Sequence, residues 1–179
     1  VEMQKDLVPE NSVLGVGKPA EAIIPKIQRI TGVAREKGIP IIYICLSLLQ
    51  KDPLLKRYNF PPHCITGTEG AEVIDELRPM KEDVIVPIPR ADAFLHSNLE
   101  YTLKALDVDT IVITGITTDV PCLMLAMNAP QRGFNVILVS DACATYIEER
   151  HKLVIELLKK FRFVKVLTTE EVLEQLKRV

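Results

Sequence analysis

The sequence predicts an α/β fold organised around a parallel sheet. Apolar runs rich in Val and Ile alternate with longer segments of helical period, the pattern of successive βα units. Gly38 and Gly133 each fall just past a helical segment, where a residue free to take φ > 0 ends a helix at little cost. At 179 residues with 47% hydrophobic content, the chain can bury roughly 70% of its unfolded surface in one domain, 1–179.

Strands are expected at the N-terminus and over 40–45, 83–86, 110–114, 135–139 and 163–167. Helices are expected over 18–37, 70–77, 98–106, 121–132, 148–161 and 169–177. Val1-Glu2-Met3 reads as the end of a first strand truncated at its N-terminus, with a few apolar residues expected before it. Ser97 and Glu100 have the spacing of a capping box, in which two side chains satisfy each other's free backbone donors. Asp119 is placed to cap the helix that follows it. Pro121 suits that helix's first turn, because its missing N–H would have no partner there. Two stretches read as irregular, 6–17 and 47–69; long loops in compact domains often cover a site. In an open parallel sheet, sites lie at the carboxyl ends of strands, so a pocket is expected among Glu2, 87–94 and 115–122.

Bulk composition narrows the function. Net charge is −2 with Lys and Arg scattered, so no nucleic-acid or anionic-membrane partner is expected. No apolar run approaches a membrane span and no signal-peptide pattern opens the chain. Cys45, Cys64, Cys122 and Cys143 show neither CxxC pairing nor disulfide-framework spacing, which fits a reduced, cytoplasmic setting.

Several motifs then act together. The chain opens Val1-Glu2-Met3-Gln4-Lys5-Asp6. It continues with Gly67-Thr68-Glu69-Gly70-Ala71-Glu72-Val73-Ile74-Asp75-Glu76-Leu77-Arg78-Pro79, then Pro87-Ile88-Pro89-Arg90-Ala91-Asp92-Ala93-Phe94. Gly115-Ile116-Thr117-Thr118-Asp119-Val120-Pro121-Cys122 and Val139-Ser140-Asp141-Ala142 follow. In content, order and spacing they resemble the isochorismatase-like cysteine hydrolases, the family of nicotinamidases and N-carbamoylsarcosine amidases. The resemblance runs from Glu2 to about Thr145. It implies a three-layer, doubly wound fold with a six-stranded parallel sheet flanked by helices, assembled as a homodimer or homotetramer. It also implies a non-prolyl cis peptide around Ile116-Thr117, whose amides help form an oxyanion hole.

That family works with an Asp, a Lys and a Cys, and the matching positions here hold Glu2, Ile88 and Pro121. Glu2 is one methylene longer than Asp, and a misplacement of about 1 Å can lower a rate by roughly 10²-fold. Ile88, six residues before Phe94, cannot orient a carboxylate or lower a thiol pKa. Pro121, six residues after Gly115, has no nucleophile. Cys122 lies one residue on, a turn of about 100° around a helix. Near a helix N-terminus its thiol pKa could be lowered, yet a free Cys is most often a small buried hydrophobe.

The resemblance leads to two readings. In one, the Cys-dependent reaction is lost or altered, leaving a small-molecule-binding or scaffold role. In the other, a rearranged site of Glu2, Arg90, Asp92 and Cys122 still hydrolyses a small amide. Asp92, Phe94, Thr117 and Thr118 are the candidate binding residues. No cofactor is expected. No metal is expected either, since Leu46 and Leu48 stand where the resembled metal sites carry acid and imidazole, and His63 alone makes no site. His96 and His151 have no ligand neighbours in sequence and read as surface residues.

Overall fold

The computed structural model describes residues 1–178. Its elements in order are α1 (Lys18–Glu36), β1 (Ile42–Leu46), α2 (Pro53–Arg57), β2 (Val84–Ile88), α3 (Leu99–Ala105) and β3 (Thr110–Ile116), followed by α4 (Leu123–Asn128), β4 (Asn135–Ala144), α5 (Glu148–Leu158), β5 (Val164–Leu167) and α6 (Thr169–Leu176). Every strand pairing between them is parallel. The alternation of strand and helix is therefore the expected α/β pattern.

Helices cover both faces of the strands. Ile23, Ile27 and Ile30 of α1 and Val172 and Leu173 of α6 pack in one apolar cluster with Val139. Leu99 and Leu103 of α3, Leu125 of α4 and Leu158 of α5 pack in the other with Ile113 and Leu138. On α1 the buried residues recur every three or four positions, so they form one stripe facing the sheet.

The six-stranded sheet is not formed as expected. β1 and β2 make a two-stranded sheet, and β3, β4 and β5 a three-stranded one. Val1 and Glu2 lie between them in parallel sense: the Val1 amine donates to the Thr114 carbonyl at 2.8 Å, the Ile116 N–H to the Val1 carbonyl at 3.1 Å, and the Glu2 N–H to the Ile44 carbonyl at 2.8 Å. These bonds bridge the two sheets without forming a further strand. Gly115 allows this close approach, since a Cβ there would lie 2.2 Å from the Val1 carbonyl oxygen. Farther towards the amino-terminal ends of β1 and β3, the gap is an apolar cavity of about 170 Å³ lined by Ile30, Ala34, Ile42, Leu103 and Val112.

Three local expectations are corrected. The helix expected over 70–77 is two 3₁₀ turns, Glu69–Ala71 and Asp75–Leu77. Between them the chain is extended, because the Lys5 N–H donates to Glu72 and the Ile74 N–H to Met3, an antiparallel pairing that overrides local propensity. The helix expected over 121–132 breaks into a π turn (Thr118–Cys122), α4, and a 3₁₀ turn (Pro130–Arg132). Pro121 has no N–H to give the Thr117 carbonyl, so the Cys122 N–H takes it at 3.1 Å and widens the turn. The capping box at Ser97 is absent: the Ser97 hydroxyl donates to the Ala93 carbonyl, while Glu100 pairs with Lys104 and Arg132. A complete capping box instead opens α6 at Thr168 and Glu171. Gly38 and Gly133 end their helices at φ 68 and 88, as their positions required.

Candidate functional site

Ile88 ends β2 and the Thr117–Cys122 turn follows β3, at the strand ends where this fold places sites, and Glu2 lies where the opening segment leaves the sheet. Glu2 enters at φ 52, an uncommon conformation for a residue with a Cβ, and the chain turns out of the sheet there. Gln4, fully buried, then acts as a substitute strand. Its amide accepts from the Leu46 N–H at 2.7 Å and donates to the Leu46 and Ala71 carbonyls, each at 2.8 Å. All of its amide capacity but one lone pair is used, which fixes the opening segment against β1.

The expected mouth is packed shut. Ile88 and Cys122 are 0% exposed, Pro121 is buried and Glu2 is 8% exposed. A cleft of about 50 Å³ does touch Glu2, but it lies on the α1 side, among Met3, Ile27, Thr31 and Val73. The Ile88 side chain belongs to the same apolar cluster as Ala93, Cys122 and Cys143.

The electrostatics follow from that burial. Glu2 Oε1 has no hydrogen-bond partner, and desolvation pushes the carboxyl up to about 7. Cys45 is pushed up to about 11 by burial, and burial together with the Asp6 charge raises Cys64 further. Cys122 does not have the low pKa that a helix N-terminus could give it. Its thiol is buried in one apolar cluster with Cys143, and the neighbouring thiol and burial both hold it neutral. The Cys143 thiol in turn lies 3.7 Å from the Ile113 carbonyl. A thiol held neutral is a poor nucleophile.

The other candidates are committed elsewhere. Arg90 donates to Asp52 at 2.9 Å and to the Pro89 carbonyl, tying β2's end to the loop that carries α2. Asp92 Oδ1 accepts from the Phe94 N–H at 3.1 Å, and the Phe94 ring stacks on Phe134 beneath the Arg132 guanidinium. Asp119 does not cap the helix; it accepts from the Thr145 hydroxyl at 2.5 Å and faces Arg150 at 3.6 Å. The peptide bond between Ile116 and Thr117 is cis, at the place the resemblance implied.

One neighbour was not legible from sequence. His151 is no free surface residue: its Nδ1 lies 2.9 Å from the hydroxyl of the fully buried Thr118, and burial lowers its pKa. This contact anchors the π turn to α5. The two residues are 33 positions apart and carry no shared motif, so only the fold brings them together.

The positions that would hold a metal do not fit one. Leu46 and Leu48 offer no donor side chains, and the Nδ1 of buried His63 is bonded to the Pro61 carbonyl at 2.8 Å. Among the described residues no three His, Cys, Asp or Glu side chains converge as a metal site.

Comparison with known proteins places this arrangement. Residues 1–171 match the Isochorismatase domain. A probable inactive nicotinamidase of Arabidopsis thaliana is 30% identical over 160 residues, 84% of this chain and 81% of that protein. An isochorismatase-like hydrolase from Alkaliphilus metalliredigens superposes with a TM-score of 0.86 at 30% identity, covering 97% of this chain and 92% of its own. N-carbamoylsarcosine amidase from Thermoplasma acidophilum gives a TM-score of 0.83 at 25% identity, over 94% of this chain and 93% of its own. With a domain match over nearly its whole length and a shared fold, this chain belongs to the isochorismatase-like hydrolase family.

Proposed function

We propose that Glu2, Ile88 and Pro121 occupy the positions of the family's Asp, Lys and Cys, and that Cys-dependent hydrolysis has been lost. The protein then serves as a small-molecule-binding or scaffold member of its family. The observation that carries this reading is that the three positions hold a buried acid with a raised pKa, a buried apolar side chain and a buried proline. Among the described residues no cationic side chain acts on Glu2, and the Cys122 thiol is held protonated. Removing one member of a nucleophile–base unit lowers activity by orders of magnitude, and here all three differ. That a family relative is described as a probable inactive nicotinamidase agrees with the reading. The alternative, a rearranged hydrolase, needs Arg90, Asp92 and Cys122 free, and each has another partner.

The test is to compare nicotinamide hydrolysis by the wild type with that of the triple variant Glu2→Asp, Ile88→Lys, Pro121→Cys. The wild type is expected to show no turnover above background. The folded triple variant is expected to gain a rapidly alkylated thiol and measurable hydrolysis, while the single variants gain neither. Wild-type turnover that disappears in Cys122→Ser would overturn the proposal. A folded triple variant with an inert thiol would overturn the positional match.

A further inference from the structure

Helix α5 turns Val154, Ile155 and Leu158 inward and carries two leucines outward, Leu153 at 71% exposure and Leu157 at 46%. Four positions apart on a helix, these two are neighbours on one face. Glu149 lies one turn before Leu153, and Lys160 lies about one turn after Leu157, in the turn that continues the helix. The outer stripe therefore reads acid, leucine, leucine, base. The other charged side chains of α5 are paired within the chain: Glu148 with Lys152 at 2.7 Å, Arg150 with Asp119 at 3.6 Å, and Glu156 with Lys159 at 2.9 Å. Among the described residues neither Glu149 nor Lys160 has an ion partner. Nor can they meet each other, since a helix of that span holds them roughly 16 Å apart.

We propose that this face is where two copies of the chain associate, with α5 packed against α5 in antiparallel sense about a two-fold axis. The pattern is self-complementary. The midpoint of the two leucines is position 155, and the midpoint of Glu149 and Lys160 falls between 154 and 155, so one axis serves both pairs. It sets Leu153 against the partner's Leu157, and Glu149 beside the partner's Lys160 on the same side of the contact, because reversing a helix exchanges its ends. A parallel pairing would instead bring like charges together, and an unrelated partner would require no such symmetry. Glu156, close to the axis, keeps its own Lys159, which offsets its charge. Ile147 and Phe163 add exposed apolar groups just before and just after the helix. One helix pair is smaller than a standard interface, so the dimer is expected to exchange with monomer. This pairing does not involve the mouth, so it can fail while the loss of hydrolysis stands.

Sedimentation equilibrium of the full chain at low salt, over a series of concentrations, reads the association. The wild type is expected to pass from monomer to dimer as concentration rises. Leu153→Glu, with Leu153→Ser as a milder second variant, is expected to weaken the dimer by roughly a hundredfold and tenfold, with circular dichroism unchanged because the side chain is exposed. Glu149→Lys and Lys160→Glu each turn two attractions into two repulsions and are expected to weaken it roughly tenfold. The double variant Glu149→Lys, Lys160→Glu is expected to return to within about threefold of the wild type, since each reversed charge again faces its opposite. A wild type that stays monomeric throughout the series would overturn the proposal. So would a dimer that both Leu153 variants leave unchanged, or a double variant that associates no more tightly than the single reversals.

Discussion

Glu2 and Asp52 are covered to nearly the same degree, 8% and 7% exposed, yet their carboxyls are driven in opposite directions. Glu2 lies between the two sheets with one oxygen unpartnered and is pushed up to about 7. Asp52 lies at the rim, capping α2. The Leu54 N–H at 3.0 Å and the Arg90 guanidinium at 2.9 Å hold it below the ordinary carboxylate range. Two differences act together: Glu2 is deeper, and Asp52 has a donor and a cation. Coverage alone therefore does not decide the charge of a buried acid; depth and partners do. On the proposed match, Ile88 is where a cation near Glu2 would have come from, and it is a fully buried hydrocarbon.

Restoring that cation is the strongest way to break the contrast. Ile88→Lys puts an ammonium group where exposure is 0%. It is expected to destabilise the fold by about 3–5 kcal/mol at pH 5, where Glu2 is neutral and cannot pair with it. At pH 8 the ionised Glu2 can offset part of that loss, so the deficit is expected to shrink. Denaturant unfolding at the two pH values measures both. An equal deficit at pH 5 and pH 8 would mean that position 88 does not reach Glu2.

A smaller effect comes from removing the acid. Because the folded-state pKa of Glu2 lies above its unfolded value, its neutral form is relatively favoured by folding. Stability is therefore fullest below pH 4.5 and declines as pH rises to about 7. Between pH 5 and pH 8 this group is expected to contribute a loss of about 2–3 kcal/mol. Glu2→Gln is expected to remove that slope. A slope unchanged in Glu2→Gln would place the titrating group elsewhere.

How much of this was legible beforehand depends on the range of the interaction. The period of 18–37, the Val and Ile runs and the glycines at 38 and 133 are local signals, and they gave α1, β1, β2, β3 and β5 nearly in place, while β4 runs on to Ala144 and the expected N-terminal strand is not formed. Residues 70–77 failed because their backbone partners are Met3 and Lys5, some seventy positions away. At the site, Ile88 could be read as an apolar wall from residue type alone. The contacts of Tyr146 with Leu14 and His151 with Thr118 could not, since each joins segments far apart in sequence. That Cys122 would pack against Cys143 was likewise hidden, because the β-bulge between Ile113 and Gly115 sets the register of β4.

The rim offers the mildest perturbation. Arg90→Met keeps much of the aliphatic bulk and removes the cation from Asp52. Arg90 is about a third exposed, so solvent screens the pair and the loss at neutral pH is expected to be about 1–2 kcal/mol. Asp52 has a lowered pKa, so the stability it contributes is present above the unfolded carboxylate value and is lost as pH falls through the acid range. Arg90→Met is therefore expected to lose least at the lowest pH. A deficit that grows on acidification would contradict the pairing.

The claim that the family's thiol chemistry is lost rests most directly on Cys122, and brief iodoacetamide treatment of the native protein at neutral pH tests it. Mass spectrometry of the digested protein is expected to find Cys122 unmodified, with all four thiols labelled only after unfolding. Rapid and selective labelling of Cys122 in the folded protein would contradict the account.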